Sequence, residues 1–295
     1  MALVINHNLM AMNAARNLSN SYGELAVSTR RLSSGLRIGT AADDAAGLAI
    51  RELMRADIAS LNQGVRNAND AISLIQTADG ALQIVDEKLI RMKELAEQAA
   101  TGTYNSDQRL IIDSEFAAMA SEITRIATAT DFNGIYLLNG NLSSDIHDGS
   151  GVNSTGKLKV HFGTGNSSAE DYYYIQINSA TASALGLTEN GTNVVSRIST
   201  QELAQQMLIR LNDAIISKDK IRANLGAMQN RLENTISNLE IQAENLQAAE
   251  SRISDADVAN EMTEFVRQQI LTQSAVAMLS QANSLPKLAM QLIGG

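Results

Sequence analysis

Three histidines, His7, His147 and His161, and one adjacent carboxylate pair, Asp43-Asp44, are the residues of this 295-residue chain that look best suited to proton transfer or metal binding. None of the histidines lies within helical spacing of another, so local sequence offers no two-His metal site. His161 falls on the polar face of a predicted strand and reads as a solvated surface residue. Asp43 and Asp44 sit in AADDAAGLAI. Neighbours on a helix point about 100° apart, so the two carboxylates cannot converge as an acid–base dyad, and charge at a helix N-terminus is the better reading. Gly163-Thr164-Gly165 is followed by Asn-Ser-Ser, with neither the Lys nor the helix that a phosphate cradle needs. No Ser has a His in a recognisable setting, and the absence of Cys removes disulfides, thiolate metal sites and thiol catalysis. The residues therefore predict no enzyme, no cofactor and no metal.

Composition dictates which elements carry these residues. Only 10 are aromatic, none is Trp, one is Pro (Pro286), and the 44% apolar share is Ala, Leu, Ile, Val and 11 Met. Such a chain builds long helices with small and aliphatic seams, not a propeller, a sandwich or an aromatic-lined cleft. The net charge of -9 argues against nucleic acid as a partner, since phosphate contact needs clustered basic surface. Residues 1–15 show no cationic segment or cleavage site of a secretory signal. Residues 268–286 are uncharged but hold nine amide or hydroxyl residues, among them Gln268, Gln269, Thr272 and Gln273, so no membrane span is expected.

Helical periodicity is strong on both sides of a different middle. Ile112, Phe116, Met119, Ile123 and Ile126 recur at alternating intervals of 4 and 3, in a helix opened by Ser106-Asp107 and closed by the turn signal Asp131-Phe132-Asn133-Gly134. Upstream, Leu61, Val65, Ala68, Ile72 and Ile75 form one run and Leu82, Val85, Leu89, Met92, Ala96 and Ala99 another, with a break expected at Asp79-Gly80. Downstream, Leu225, Met228, Leu232, Thr235, Leu239, Gln242, Leu246, Ala249 and Ile253 keep the same rhythm. Each stripe needs a partner, so residues 48–130 and 201–253 are expected to form an antiparallel bundle.

Residues 141–199 hold 4 of the 10 aromatics and 7 of the 19 Gly, which marks a separate module. In it Leu158, Val160 and Phe162 alternate with Lys157, Lys159 and His161. After a polar loop at 163–171, Tyr173, Ile175 and Ile177 alternate with Tyr172, Tyr174 and Gln176, a β-hairpin pattern. Four Asn-x-Ser/Thr triplets fall there, at Asn141, Asn153, Asn166 and Asn190; composition alone produces them, and they indicate exposure. The ends differ again. Residues 1–42 carry four Arg and one Glu, while 255–295 carry four acids and two bases, predicting helices of complementary charge that order on assembly.

LSSGLRIGTAADDAAGLAI (32–50), IRMKELAEQAATGTYN (90–105), DFNGIYLL (131–138), LGAMQNRLENTISNLEIQAENLQAAESRISDADVANEM (225–262) and QILTQSAVAMLSQANSLPKLAMQLI (269–293) resemble bacterial flagellin, the subunit of the flagellar filament. The resemblance covers nearly all of 1–140 and 200–295, and it stops at the middle module. It implies a mainly α fold: a long antiparallel coiled-coil rod built from the N- and C-terminal parts, with a small β-containing insert. The implied domains are terminal helices at 1–42 and 255–295 lining an inner tube and disordered in the monomer, a helical rod at 43–140 and 200–254, and a variable outer module at 141–199. The implied function is a structural, self-assembling subunit for swimming motility, exported through the flagellar channel to the cell exterior. The implied partners are further copies of the chain, an export chaperone, and the filament cap and hook-junction proteins.

Two helices antiparallel about a centre near residue 103 place Arg91 beside Glu115, and Arg91 and Leu95 are one turn apart on one helix. These positions match the family motif recognised by the vertebrate Toll-like receptor for flagellin, with Arg91 as basic anchor, Leu95 as apolar contact and Glu115 opposite; Lys93 stands where many members carry Arg. The residues alone read as an Arg91–Glu115 interhelical ion pair, with Leu95 buried in a stacking interface. A hook–filament junction protein shares the terminal features and would differ in failing to form long tubes. A protease-bearing insert would need a motif such as HExxH, which is absent, and a monomeric ligand would need ordered ends.

Overall fold

The structure, a computed structural model, describes residues 8–144, 156–168, 170–188 and 196–293. Helices dominate: α1 (Leu9–Ser34), α2 (Ala45–Ala100), α3 (Ser106–Ala129), α4 (Gln201–Ser254) and α5 (Val258–Ile293). The strands form two antiparallel pairs, β1 (Asp131–Phe132) with β2 (Ile135–Tyr136) and β3 (Leu158–His161) with β4 (Tyr172–Ile175). The fold is thus mainly α with a small β component, as the sequence predicts. The chain divides into two compact units, one holding residues up to Ile58 and from Glu244, the other Ala59–Ala243.

In the first unit α1 and α5 lie antiparallel. Asn8 donates from Nδ2 to the Ala282 carbonyl at 2.7 Å, while at the other end Arg31 lies 3.6 Å from Glu261. That ion pair joins the basic last turn of α1 to the acidic first turn of α5. Gly35 ends α1 at φ 72°, a left-handed conformation suited to Gly, with its N–H on the Arg31 carbonyl. The chain leaving α1 then bridges the end of α4: Leu36 pairs with Asp255, and Arg37 donates from its backbone N–H to Ser254 and from Nη2 to Ile253.

In the second unit α2 and α4 are antiparallel, since their polar partners descend one helix as they climb the other. Lys93 meets Asn212, Asp86 meets Lys218, and Asp79 meets Arg222. Where α3 joins them three helices wall the core, Leu89, Met92 and Ala96 from α2, Phe116, Ala120 and Ile123 from α3, and Met207, Leu211 and Ala214 from α4, and Ala182, Leu185, Leu187 and Ile198 of the middle segment pack into it. α3 opens on a capping box in which the Asn105 side chain accepts from the Gln108 N–H and the Gln108 side chain accepts from that of Asn105. The turn signal after α3 becomes the β1–β2 hairpin, with Asn133 and Gly134 supplying the positive φ of a two-residue turn.

The hairpin predicted from alternation forms, and its register places Leu158 opposite Ile175 and Val160 opposite Tyr173. Its inward residues Val160, Phe162, Ile175 and Ile177 are buried. It seats on both long helices. Asn67 of α2 donates to the His161 carbonyl at 2.8 Å, and Arg231 of α4 lies 3.6 Å over the Tyr173 ring. The α4 stripe is accordingly split: Leu225, Leu232 and Leu239 are buried, whereas Thr235 and Gln242 line a groove beside Phe162 and Tyr173.

The break expected at Asp79-Gly80 does not occur, and α2 runs through both residues. Asp79 spends its carboxylate on Arg222, whose Nε and Nη2 donate at 2.7 and 3.2 Å, and Gly80 faces open space. A lone helical Gly costs only about 1 kcal/mol, and burial of Ala78 and Leu82 on either side offsets it.

The same pair gives the unit an acid limb. The hydrogen bond from Arg222 holds the Asp79 carboxyl below its ordinary range. A depressed carboxylate contributes stability that is complete above the unfolded value, near 4, and is lost as pH falls through the folded one. Asp79→Asn is expected to cost about 1 kcal/mol or less at pH 7, because both partners are partly exposed, and to make the decline below pH 4 shallower. Urea midpoints measured from pH 7 to pH 2 check this, and identical profiles for the two proteins would refute it.

Candidate interaction surface

Arg91 lies on the edge of α2 that faces α3. Its Nε and Nη2 donate to Glu115 Oε1 at 3.1 and 2.8 Å, and Nη1 donates to Glu94 Oε2 at 3.0 Å. The interhelical ion pair predicted from the antiparallel register is present, and Glu94 completes a three-membered cluster. Glu115 first, then Glu94, raises the affinity of the guanidinium for its proton. All three side chains are half exposed, so the cluster is an accessible polar patch and not a buried structural bond.

Leu95 does not join this patch. It is 1% exposed and belongs to the core with Met92, Ala96 and Phe116 of the same chain. The placement of Leu95 as an outward apolar contact, or as a residue buried by stacking, is corrected accordingly. The reason is that α2 is covered here by two helices, which widens its buried arc beyond a single seam. Lys93 likewise looks inward to α4, donating to Asn212 Oδ1 at 2.9 Å.

The apolar component of the surface comes from α3. Ile111 is 70% exposed and lies one turn from Glu115 on the same helix face. Leu110 and Ile90 are exposed as well. The run Leu110-Ile111-Ile112 carried the signal for this: three consecutive apolar residues cannot all face one core, and only Ile112 does. An exposed ion cluster one helical turn from an unburied Ile is suited to contact with another macromolecule.

Of the residues first considered for chemistry, His161, Asp43, Asp44 and the 163–165 loop are among those described. His161 is partly buried, its Nε2 2.9 Å from the Gly165 carbonyl and its ring stacked on Tyr172. Asp44 accepts from the Ala46 and Gly47 N–H groups at the start of α2, and Asp43 closes the loop before it by accepting from Gly39 and Thr40. The loop 163–171 is organised by Asp171, whose carboxylate accepts from Gly165 and Ser167. Asn141 and Asn166 are exposed, while His7, His147, Asn153 and Asn190 lie outside the described residues. Among the described residues no group of three or more His, Asp and Glu could hold a metal ion, and no helix is long and apolar enough to cross a membrane.

Two family models match the chain: the bacterial flagellin N-terminal helical region over residues 5–143 and the bacterial flagellin C-terminal helical region over residues 208–293. The chain belongs to the bacterial flagellin family. Among its relatives, the flagellar filament 33 kDa core protein of Treponema phagedenis is 41% identical over 292 residues, covering 99% of this chain and 100% of that protein. A flagellin of Halalkalibacterium halodurans is 42% identical, again covering 99% of this chain and 100% of that protein. Of solved structures, the crystal structure of Bacillus cereus flagellin is similar at a TM-score of 0.48 and 27% identity, covering 63% of this chain and 94% of that one. The family models leave 144–207 unmatched, which contains the β3–β4 hairpin.

Proposed function

We propose that the chain is the repeating structural subunit of a bacterial flagellar filament, assembling outside the cell into a helical homopolymer that serves swimming. The observation that carries this reading is the apolar surface left open by α1 and α5. Ser28 is the one buried residue of α1, and Leu9, Met12, Tyr22, Val258, Ile270 and Met278 are exposed. Apolar surface of that extent is normally covered by a partner, and relatives that are filament core proteins point to further copies of the chain. A heterologous contact repeated without closure gives a helical polymer.

On this reading residues 1–42 and 255–295 line the inner tube and order on assembly, 43–140 with 200–254 form the rod, and 141–199 is the outer module. Export proceeds through the flagellar channel, with a chaperone on the C-terminal helix. The cap and hook-junction proteins meet the filament at its two ends. Electron microscopy of purified chain incubated with short filament seeds tests the core of the proposal. Full-length chain should extend the seeds into long tubes, and a chain lacking 255–295 should neither extend them nor bind the chaperone. Undiminished elongation by the truncated chain would overturn it.

The Arg91–Glu94–Glu115 cluster with Ile111 is the surface we assign to recognition of the monomer by the vertebrate Toll-like receptor for flagellin. Arg91→Ala should lower signalling in receptor-expressing reporter cells about tenfold, since anchoring Arg residues dominate interfaces. The stability of the chain should be unchanged within measurement error, because the ion pair is exposed and screened by water. Equal signalling by the two proteins would remove Arg91 from the recognition surface.

A further inference from the structure

With no Cys in the chain, the readily oxidised sulfur is the thioether of its 11 Met. Their placement is uneven. Met92 and Met207 are sealed in the three-walled core, whereas Met10, Met12, Met262 and Met278 are 44% to 63% exposed on α1 and α5. Met10 and Met278 line the same groove of about 740 Å³ between those helices, with Leu9 and Leu271 beside them. These exposed Met side chains thus sit on the very surface that the filament reading buries on assembly.

We propose that Met10, Met12, Met262 and Met278 form an oxidation site through which hydroperoxides block assembly of the free subunit. The inference rests on the filament reading. A sulfur lone pair attacks one oxygen of the hydroperoxide; the O–O bond breaks as the S–O bond forms, and the departing oxygen takes the proton and leaves as water or an alcohol. Sulfur is oxidised by two electrons to the sulfoxide and the peroxide is reduced. The product carries a strong acceptor where an apolar thioether stood. Covering that acceptor on assembly strips it of water, and the Asn and Ser side chains of the groove can replace the lost bonds only in part, which penalises assembly and not the folding of the second unit. In the finished filament the same sulfurs are covered, so the device acts on subunits before incorporation.

The test treats full-length monomer with dilute hydrogen peroxide, maps the modified peptides by mass spectrometry, and measures seed elongation. Oxygen should add at Met10, Met12, Met262 and Met278 while Met92 and Met207 stay unmodified, and the critical concentration should rise at least about tenfold. Reduction by methionine sulfoxide reductases should restore elongation. The combined variant Met10→Leu, Met12→Leu, Met262→Leu and Met278→Leu, which conserves volume and apolarity, should elongate seeds with or without peroxide. Failure of the untreated wild-type chain to elongate would defeat the filament reading and this inference with it. Normal elongation after the four sulfurs are oxidised would overturn this inference alone, as would elongation that stays lost after enzymatic reduction.

Discussion

Gly64→Ala is expected to destabilise the second unit by about 3 kcal/mol, near the upper end for overpacking, and to lift the β3–β4 hairpin off α2. A Cβ built at Gly64 would lie 2.0 Å from the Phe162 carbonyl oxygen and 2.8 Å from its carbon. Both are backbone atoms and cannot swing aside as a side-chain end can. The hairpin must therefore move by about 1 Å or more to restore contact distances, loosening the Asn67–His161 hydrogen bond and the buried seat of Phe162. Gly80→Ala is the matched control. It lies in the same helix with nothing within 4 Å of its added Cβ, and should stabilise by up to about 1 kcal/mol through helix propensity. Urea unfolding of the two variants side by side gives the comparison. Equal stabilities would mean that α2 and the hairpin do not approach closely at Gly64.

Gly64 also marks the limit of what patterns could reveal. The sequence shows which residues of α2 face inward, because burial follows the 3-and-4 rhythm through Leu61, Ala68, Ile75, Leu82 and Leu89. It likewise shows the hairpin and its inward face, because period-two alternation sends Val160 and Phe162 to one side, while the pairing of Leu158 with Ile175 is visible only in the structure. What packs against a given face is a matter of tertiary position. Gly64 reads in sequence as a weak point of a helix, and only the approach of Phe162 explains a residue without a side chain there. Leu95 fails for a related reason. Helical spacing from Arg91 places it toward one side of α2, but whether that side is open depends on how many helices cover it, and here there are two. Gln242 errs the other way: it keeps the seam rhythm of α4 yet lines an open groove. Periodicity reports the direction of a side chain, and burial depends on what fills the space in that direction.

Lys218 is the residue where that distinction has the largest consequence for stability. Leu211, Ala214, Lys218, Ile221 and Leu225 continue the 3-and-4 spacing of α4, and all five are buried, Lys218 at 2% exposure. A cation therefore occupies a seam position. Its Nζ lies 2.6 Å from Asp86 of α2 and 2.7 Å from Asp219 of its own helix. Lys218→Ala is expected to cost about 3 kcal/mol, at the low end for disrupting a buried ion pair, because Asp86 and Asp219 keep access to water and are not stranded. The larger share of that loss is the cavity left by the four-carbon stem. Lys218→Met keeps the stem and removes the charge, and is expected to stay within about 1 kcal/mol of wild type. The charge contributes less to stability than to register, because a polar residue at one seam position penalises every alignment that separates it from its partner. In the observed alignment Asp86 meets Lys218 and, further along both helices, Asp79 meets Arg222. A shift of one turn would leave Lys218 facing apolar residues of α2. Thermal unfolding separates these effects. A large loss in the Ala variant with a near-neutral Met variant assigns the energy to packing, while equal losses in both would return it to the ion pair and refute this account.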